Sequence, residues 1–98
     1  MGLLVEYSIQ DGKADAQTEA LLTFVDGLRQ IADGGYHYTC FATDDPKRFV
    51  GLSEFDDDDA RQRFLASAPF QEYRDSAPDR FSAPPQATPV RRIASTRD

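Results

Sequence analysis

Tryptophan and asparagine are absent from this chain of 98 residues, and cysteine, methionine and histidine occur once each. A single cysteine, Cys40, allows no internal disulfide and no cysteine-based zinc or cluster site. With His37 as the only imidazole, any metal site would need carboxylate partners such as Glu54 or Glu6. Basic residues are few: 11 Lys and Arg stand against 17 Asp and Glu, for a net charge of −6. No basic stripe interrupts this balance, which argues against nucleic acid and anionic membranes as partners. The opening "MGLLVEYSIQDG" lacks a positive region and has too short an apolar run for a signal peptide or a span, so a cytoplasmic location is expected. Its sixth residue, Glu6, also breaks the myristoylation pattern. Gly-rich phosphate loops, nucleophile elbows and metal-ligand spacings are missing as well.

What is present is globular. Forty per cent of the residues are apolar and 11% aromatic, enough for one core in a single domain covering 1–98. Asp56 to Asp59 carry four of the negative charges, which leaves the rest of the chain at −2. The acidity is local, at the point where a strand pattern gives way to a helical one. One of Asp56 to Asp58 is expected to cap that helix, with the others at the positive end of its dipole. A calcium loop would need a glycine and a distal bidentate acid, and "DDDDARQRF" has neither.

Along the chain the apolar period switches several times. "LLVEYSI" (3–9) alternates as a strand and ends at Asp11-Gly12. Residues 15–32 take helical spacing, with Leu21, Val25, Leu28 and Ala32 on a stripe that Leu22, Phe24 and Ile31 widen. Asp15 opens this helix as cap or first-turn acid, and Gly34-Gly35 stops it. Gly27 inside it either packs closely against the sheet or is simply tolerated. "GYHYTCFAT" (35–43) and "RFVGLSEF" (48–55) form a hairpin around Pro46. A second helix runs from about Asp58 to Ala68, broken at Pro69 and continued through "FQEYRDSA". Residues 78–89 hold four of six prolines and read as an irregular connection to a last strand, "VRRIAST" (90–96).

This order is the split βαβ, ferredoxin-like α+β arrangement: a four-stranded antiparallel sheet with two helices on one face. Both faces of the first two strands carry large apolar groups. Leu3, Val5, Tyr7 and Ile9 cannot be satisfied together with Leu4, Tyr38 and Phe41 by one helical layer, so a second subunit is expected to cover the other face.

The stretch 44–73, "DDPKRFVGLSEFDDDDARQRFLASAPFQEY", resembles the antibiotic-biosynthesis-monooxygenase-like group of dimeric α+β barrels. It carries the group's aspartate-proline turn at Asp45-Pro46, a strand ending at Glu54-Phe55 without the residue that the group places between acid and aromatic, and the segment Leu65-Ala66-Ser67-Ala68-Pro69-Phe70-Gln71. It departs at Phe64 and Pro69, where many relatives place histidines. Without tryptophan or asparagine it lacks the residue set of the haem-degrading branch. The resemblance implies a homodimer whose sheets pair into a barrel, with a cavity between sheet and helices that takes a small, flat aromatic ligand. It further implies oxygenation without a cofactor or metal, in which a substrate anion reduces oxygen directly.

Candidate donors or proton relays for that chemistry are His37, Tyr73 and Arg74. Tyr7, Tyr38, Phe41, Phe64 and Phe70 are the candidate pocket lining; the alternative for each is core or dimer interface, the commoner place for such rings, and for His37 a partly exposed or interface position. Cys40 is expected to be inert. Two functions remain open: a small cofactor-independent monooxygenase-like enzyme for an aromatic or polyketide-type substrate, and a non-catalytic ligand-binding or stress-associated barrel.

Overall fold

A computed structural model describes residues 1–31 and 34–97. Its elements run β1 (Gly2–Ser8), α1 (Ala14–Arg29), β2 (Tyr36–Ala42), β3 (Arg48–Phe55), α2 (Asp58–Ala66), α3 (Ala68–Ser76), a 3-10 turn (Ala77–Asp79) and β4 (Gln86–Val90). The strands lie in the order β2-β3-β1-β4, all antiparallel. That is the ferredoxin-like α+β sheet, with the helices packed on one face.

Pairing fixes which side chains share a face. Tyr7 lies opposite Phe49, Val5 opposite Gly51, and Tyr38 opposite Ser53. These residues point toward the helices, where Leu21, Phe24, Leu28, Ala60 and Phe64 bury against Tyr7, Ile9, Phe49 and Phe55. Small residues in the middle of β3 make room for a large neighbour. A Cβ on Gly51 would sit 2.8 Å from the Tyr38 hydroxyl, so the phenol of β2 lies over a gap that only glycine leaves. The opposite face carries Leu4, Phe41, Val50, Leu52 and Val90, partly or well exposed, with Phe41 at 51%.

Helix ends follow the polar residues. Asp57 adopts an extended backbone and its Oδ1 accepts from the Ala60 N–H at 2.8 Å, which caps α2, while Asp58 and Asp59 fill the first turn. Ser67 serves two helices: its hydroxyl donates to the Phe64 carbonyl at 2.7 Å and accepts from the Phe70 N–H at 3.3 Å, ending α2 and opening α3. Pro69 sits in the first turn of α3, where its missing N–H has no partner to lose. Replacing Asp57 by Ala is expected to cost about 1 kcal/mol in urea unfolding, with Asp59→Ala within about 0.5 kcal/mol of the wild type. Equal losses would contradict the capping assignment.

Three expectations need correction. The last strand is Gln86–Val90, inside the proline-rich stretch, rather than 90–96. It is an edge strand paired only to β1, so Pro89, opposite Leu3, breaks no central ladder, and Ile93 lies beyond it at 95% exposure. The buried stripe of α1 is Gln17, Leu21, Phe24 and Leu28, whereas Leu22 and Ile31 are exposed; Ala32 lies outside the described residues. Gly27 faces α3 instead of the sheet: a Cβ there would meet Pro69 Cγ at 2.8 Å.

Candidate functional site

Aromatic rings fill the layer between sheet and helices. Phe64 meets Tyr36, Phe55 and Phe70 at centroid distances of 5.3, 5.4 and 5.1 Å, and Phe24 stacks on Tyr73 at 4.8 Å. Beside these rings lies a polar cluster that an apolar core does not need. Gln17, fully buried, donates through Nε2 to the Tyr7 hydroxyl at 2.7 Å and the Tyr73 hydroxyl at 2.8 Å. The two hydroxyls are 3.4 Å apart. On the other side of the amide, Gln17 Oε1 accepts from Arg80 Nε at 2.6 Å.

Arg80 is 7% exposed, and its Nη1 donates to the Ser76 carbonyl at 3.1 Å and the Ser76 hydroxyl at 2.8 Å. Its guanidinium lies over the Tyr73 ring, 5.4 Å from the centroid. Among the described residues no carboxylate pairs with it, and its Nη2 is buried without a partner. A buried guanidinium that lacks a counter-ion is costly, so this cluster is specific in a way that apolar packing is not. Burial, followed by the contact with Tyr73, pushes the Tyr7 phenol well above the usual tyrosine range, and burial does the same for Tyr38; both stay protonated at physiological pH.

The predicted site residues separate into three places. Tyr7, Tyr38, Phe64, Phe70 and Tyr73 gather in the layer between sheet and helices. Arg74 is exposed on α3, beside Asp75 and with its guanidinium 5.8 Å from the Phe70 ring centroid, outside the polar cluster. His37 and Phe41 project from β2 on the far face of the sheet, as alternation from the inward-facing Tyr38 requires. His37 therefore does not share a site with Tyr73. It stands across from Glu54, which is held by Arg92. Cys40 is half-buried, and burial raises its thiol further from the thiolate. No cluster of three or more His, Cys, Asp or Glu able to hold a metal occurs among the described residues.

Sequence reasoning missed Gln17 and Arg80. Gln17 did carry a signal: it is in register with Leu21, Phe24 and Leu28, a polar residue on an apolar stripe. Arg80 sits in the proline-rich stretch and has none.

Two open grooves adjoin these residues. One of about 490 Å³ lies between α1 and α3, with Ala20, Thr23, Phe24, Pro69 and Tyr73 among its walls. A larger one of about 820 Å³ runs around the end of β2, past Tyr36, His37, Glu54 and Arg92. The first is the one that reaches the buried polar cluster, through Tyr73.

Comparison with known proteins gives a consistent answer. Nothing among the curated proteins matches the chain. A Bacteroides thetaiotaomicron structure, provisionally described as an antibiotic biosynthesis monooxygenase, superposes with a TM-score of 0.86 at 14% identity, covering 100% of this chain and 93% of that one. A Nitrosomonas europaea structure with the same provisional description has a TM-score of 0.82 at 20% identity, covering 95% and 98%. A second N. europaea protein, described as of unknown function, reaches 0.82 at 21%, covering 97% and 90%. Identities this low establish the fold alone. Residues 1–76 also match the family described as antibiotic biosynthesis monooxygenase, and with that match over most of its length the chain belongs to this family.

Proposed function

We propose that the protein is a monooxygenase-like enzyme that oxidises a flat aromatic substrate in the groove between α1 and α3, with the Tyr73 hydroxyl as its proton donor. One observation carries the reading: Tyr73 lines the groove and at the same time belongs to the buried chain Arg80–Gln17–Tyr7. The rings of Phe24 and Tyr73 among its walls suit a planar ring system, and the Tyr73 hydroxyl, fixed by Gln17, suits a reaction in which negative charge develops on oxygen.

A phenol such as 1-naphthol defines the chemistry. Its hydroxyl proton passes to solvent, the anion passes one electron to oxygen, and the pair collapses to a peroxide anion at the ring carbon para to the oxygen, which takes a proton back from solvent to become the hydroperoxide. The O–O bond then breaks as the hydrogen on that carbon leaves, giving 1,4-naphthoquinone and water. One oxygen atom enters the product and the other departs as water, with the substrate as the sole reductant. Tyr73 protonates the departing hydroxide and recovers a proton from the substrate. In an oxygen electrode, 1-naphthol should support uptake, and Tyr73→Phe should lower kcat/KM by about 10²-fold with the fold retained. Uptake no faster than in a protein-free control, or an unimpaired Tyr73→Phe, would overturn the reading.

The non-catalytic barrel retains one observation in its favour: Phe64 and Pro69 stand where many relatives place histidines. In either case the working unit is a homodimer formed by the far sheet face. Leu4, Phe41, Val50, Leu52 and Val90 make its apolar centre, and the pairs Arg48–Glu6 and Arg92–Glu54 frame it at opposite ends. A patch of this kind, apolar inside and charged at the rim, fits a protein interface.

A further inference from the structure

The polar cluster behind the groove has more donors than acceptors. Arg80 has only donors, so the atom of Gln17 that faces its Nε must be the carbonyl oxygen, which fixes the amide NH2 toward the two tyrosines. Gln17 then donates to both phenolic oxygens. Each tyrosine keeps its own proton, and the 3.4 Å contact between them uses one of the two. One phenolic proton remains without an acceptor, and so does the buried Arg80 Nη2. Tyr7 is sealed at 3% exposure, whereas Tyr73 lines the groove. The contact runs from the Tyr73 hydroxyl to the Tyr7 oxygen and leaves the surplus proton on sealed Tyr7; an outside acceptor at Tyr73 reverses it, so that Tyr7 donates to Tyr73 and Tyr73 donates outward.

We propose that Gln17, locked by Arg80 as a donor to both phenols, is a positioning residue that leaves the Tyr73 hydroxyl hydrogen free to turn out of the cluster toward the α1–α3 groove when a ligand oxygen is there, so that the groove selects aromatic ligands presenting an acceptor oxygen. The inference rests on the reading of that groove as the substrate site. It adds the direction of the hydrogen bond and the residue that sets it. A ligand carbonyl or phenolate oxygen supplies the missing acceptor; a ligand of the same shape without oxygen leaves the proton unsatisfied.

The decisive variant is Gln17→Glu. Its carboxylate keeps the length of the side chain and pairs with Arg80, but it accepts from both phenols where the amide donated. Both tyrosine protons are then drawn inward and none is left for the groove. Buried Arg80 gains a counter-ion, so thermal stability should hold or rise while ligand selection is lost. A merely structural Gln17 would leave selection intact under the same conditions.

The test is an NMR titration with 1-tetralone and tetralin, bicyclic probes that differ in a single carbonyl. Wild type should bind 1-tetralone about tenfold more tightly than tetralin, the value of one neutral hydrogen bond. Gln17→Glu should bind the two alike, with tetralin affinity unchanged. Should that variant fail to fold, Tyr73→Phe removes the donor while leaving Gln17 and Arg80 in place, and it too should abolish the preference. No preference in the wild type, or a preference kept in Gln17→Glu or Tyr73→Phe, overturns the inference. The enzymatic reading fails separately: selection of 1-tetralone without oxygen uptake on 1-naphthol would defeat it and leave the positioning role of Gln17 standing.

Discussion

Phe64→Ala should lower the unfolding free energy by about 3–5 kcal/mol, the range for emptying a buried aromatic site. Phe64 is 4% exposed and its ring meets Phe24, Tyr36, Tyr38, Phe55 and Phe70, residues drawn from α1, α3, β2 and β3. The rings around it cannot collapse into the space without leaving their own partners. A domain of this size has on the order of 5–15 kcal/mol in total, so the variant should lie close to unfolding at body temperature. Urea denaturation measures it directly. A loss below about 1 kcal/mol would mean that the aromatic layer is not the core. Phe41→Ala is the comparison: on the far sheet face and half exposed, it should cost little to the fold of one subunit.

Leu52→Asp should break the proposed homodimer into monomers. Leu52 is central on the far face, paired with Leu4 on one side and Thr39 on the other. In a two-fold interface the change enters twice, placing two carboxylates in an apolar centre. Weakening of the dimer by about 10³-fold or more is expected, which is about 4 kcal/mol. Light scattering behind a sizing column at micromolar concentration reads the result: dimeric mass for the wild type, half that mass for the variant with its circular dichroism unchanged. A monomeric wild type would remove the interface altogether.

How much of this was legible in the sequence depended on how local the cause was. β3 could be bounded because "RFVGLSEF" follows the Pro46 turn and is closed by the aspartates that open the next helix; its strict alternation shows only in the burial of its side chains. The ferredoxin-like order followed from such elements. β4 was displaced because Pro89 reads as a breaker, and only the pairing reveals that it lies on an edge where its missing N–H costs nothing. The far face was visible as an excess of apolar residues that one helical layer could not cover. The polar cluster was not visible as a unit. Tyr73 was identified from the resemblance, but the groups that orient it come from positions 17 and 80, and nothing in the chain's spacing links them. His37 drew attention as the only imidazole, yet strand alternation sends it to the face opposite Tyr73. Rarity marked the histidine, whereas burial marks the glutamine.

The most direct test of the account is the reaction of 1-naphthol under labelled oxygen, followed by mass spectrometry of the quinone with wild type and Tyr73→Phe. The account predicts 1,4-naphthoquinone carrying one labelled oxygen, formed at a rate that falls about 10²-fold when the Tyr73 hydroxyl is removed. Unlabelled product, or equal rates from the two proteins, would contradict it.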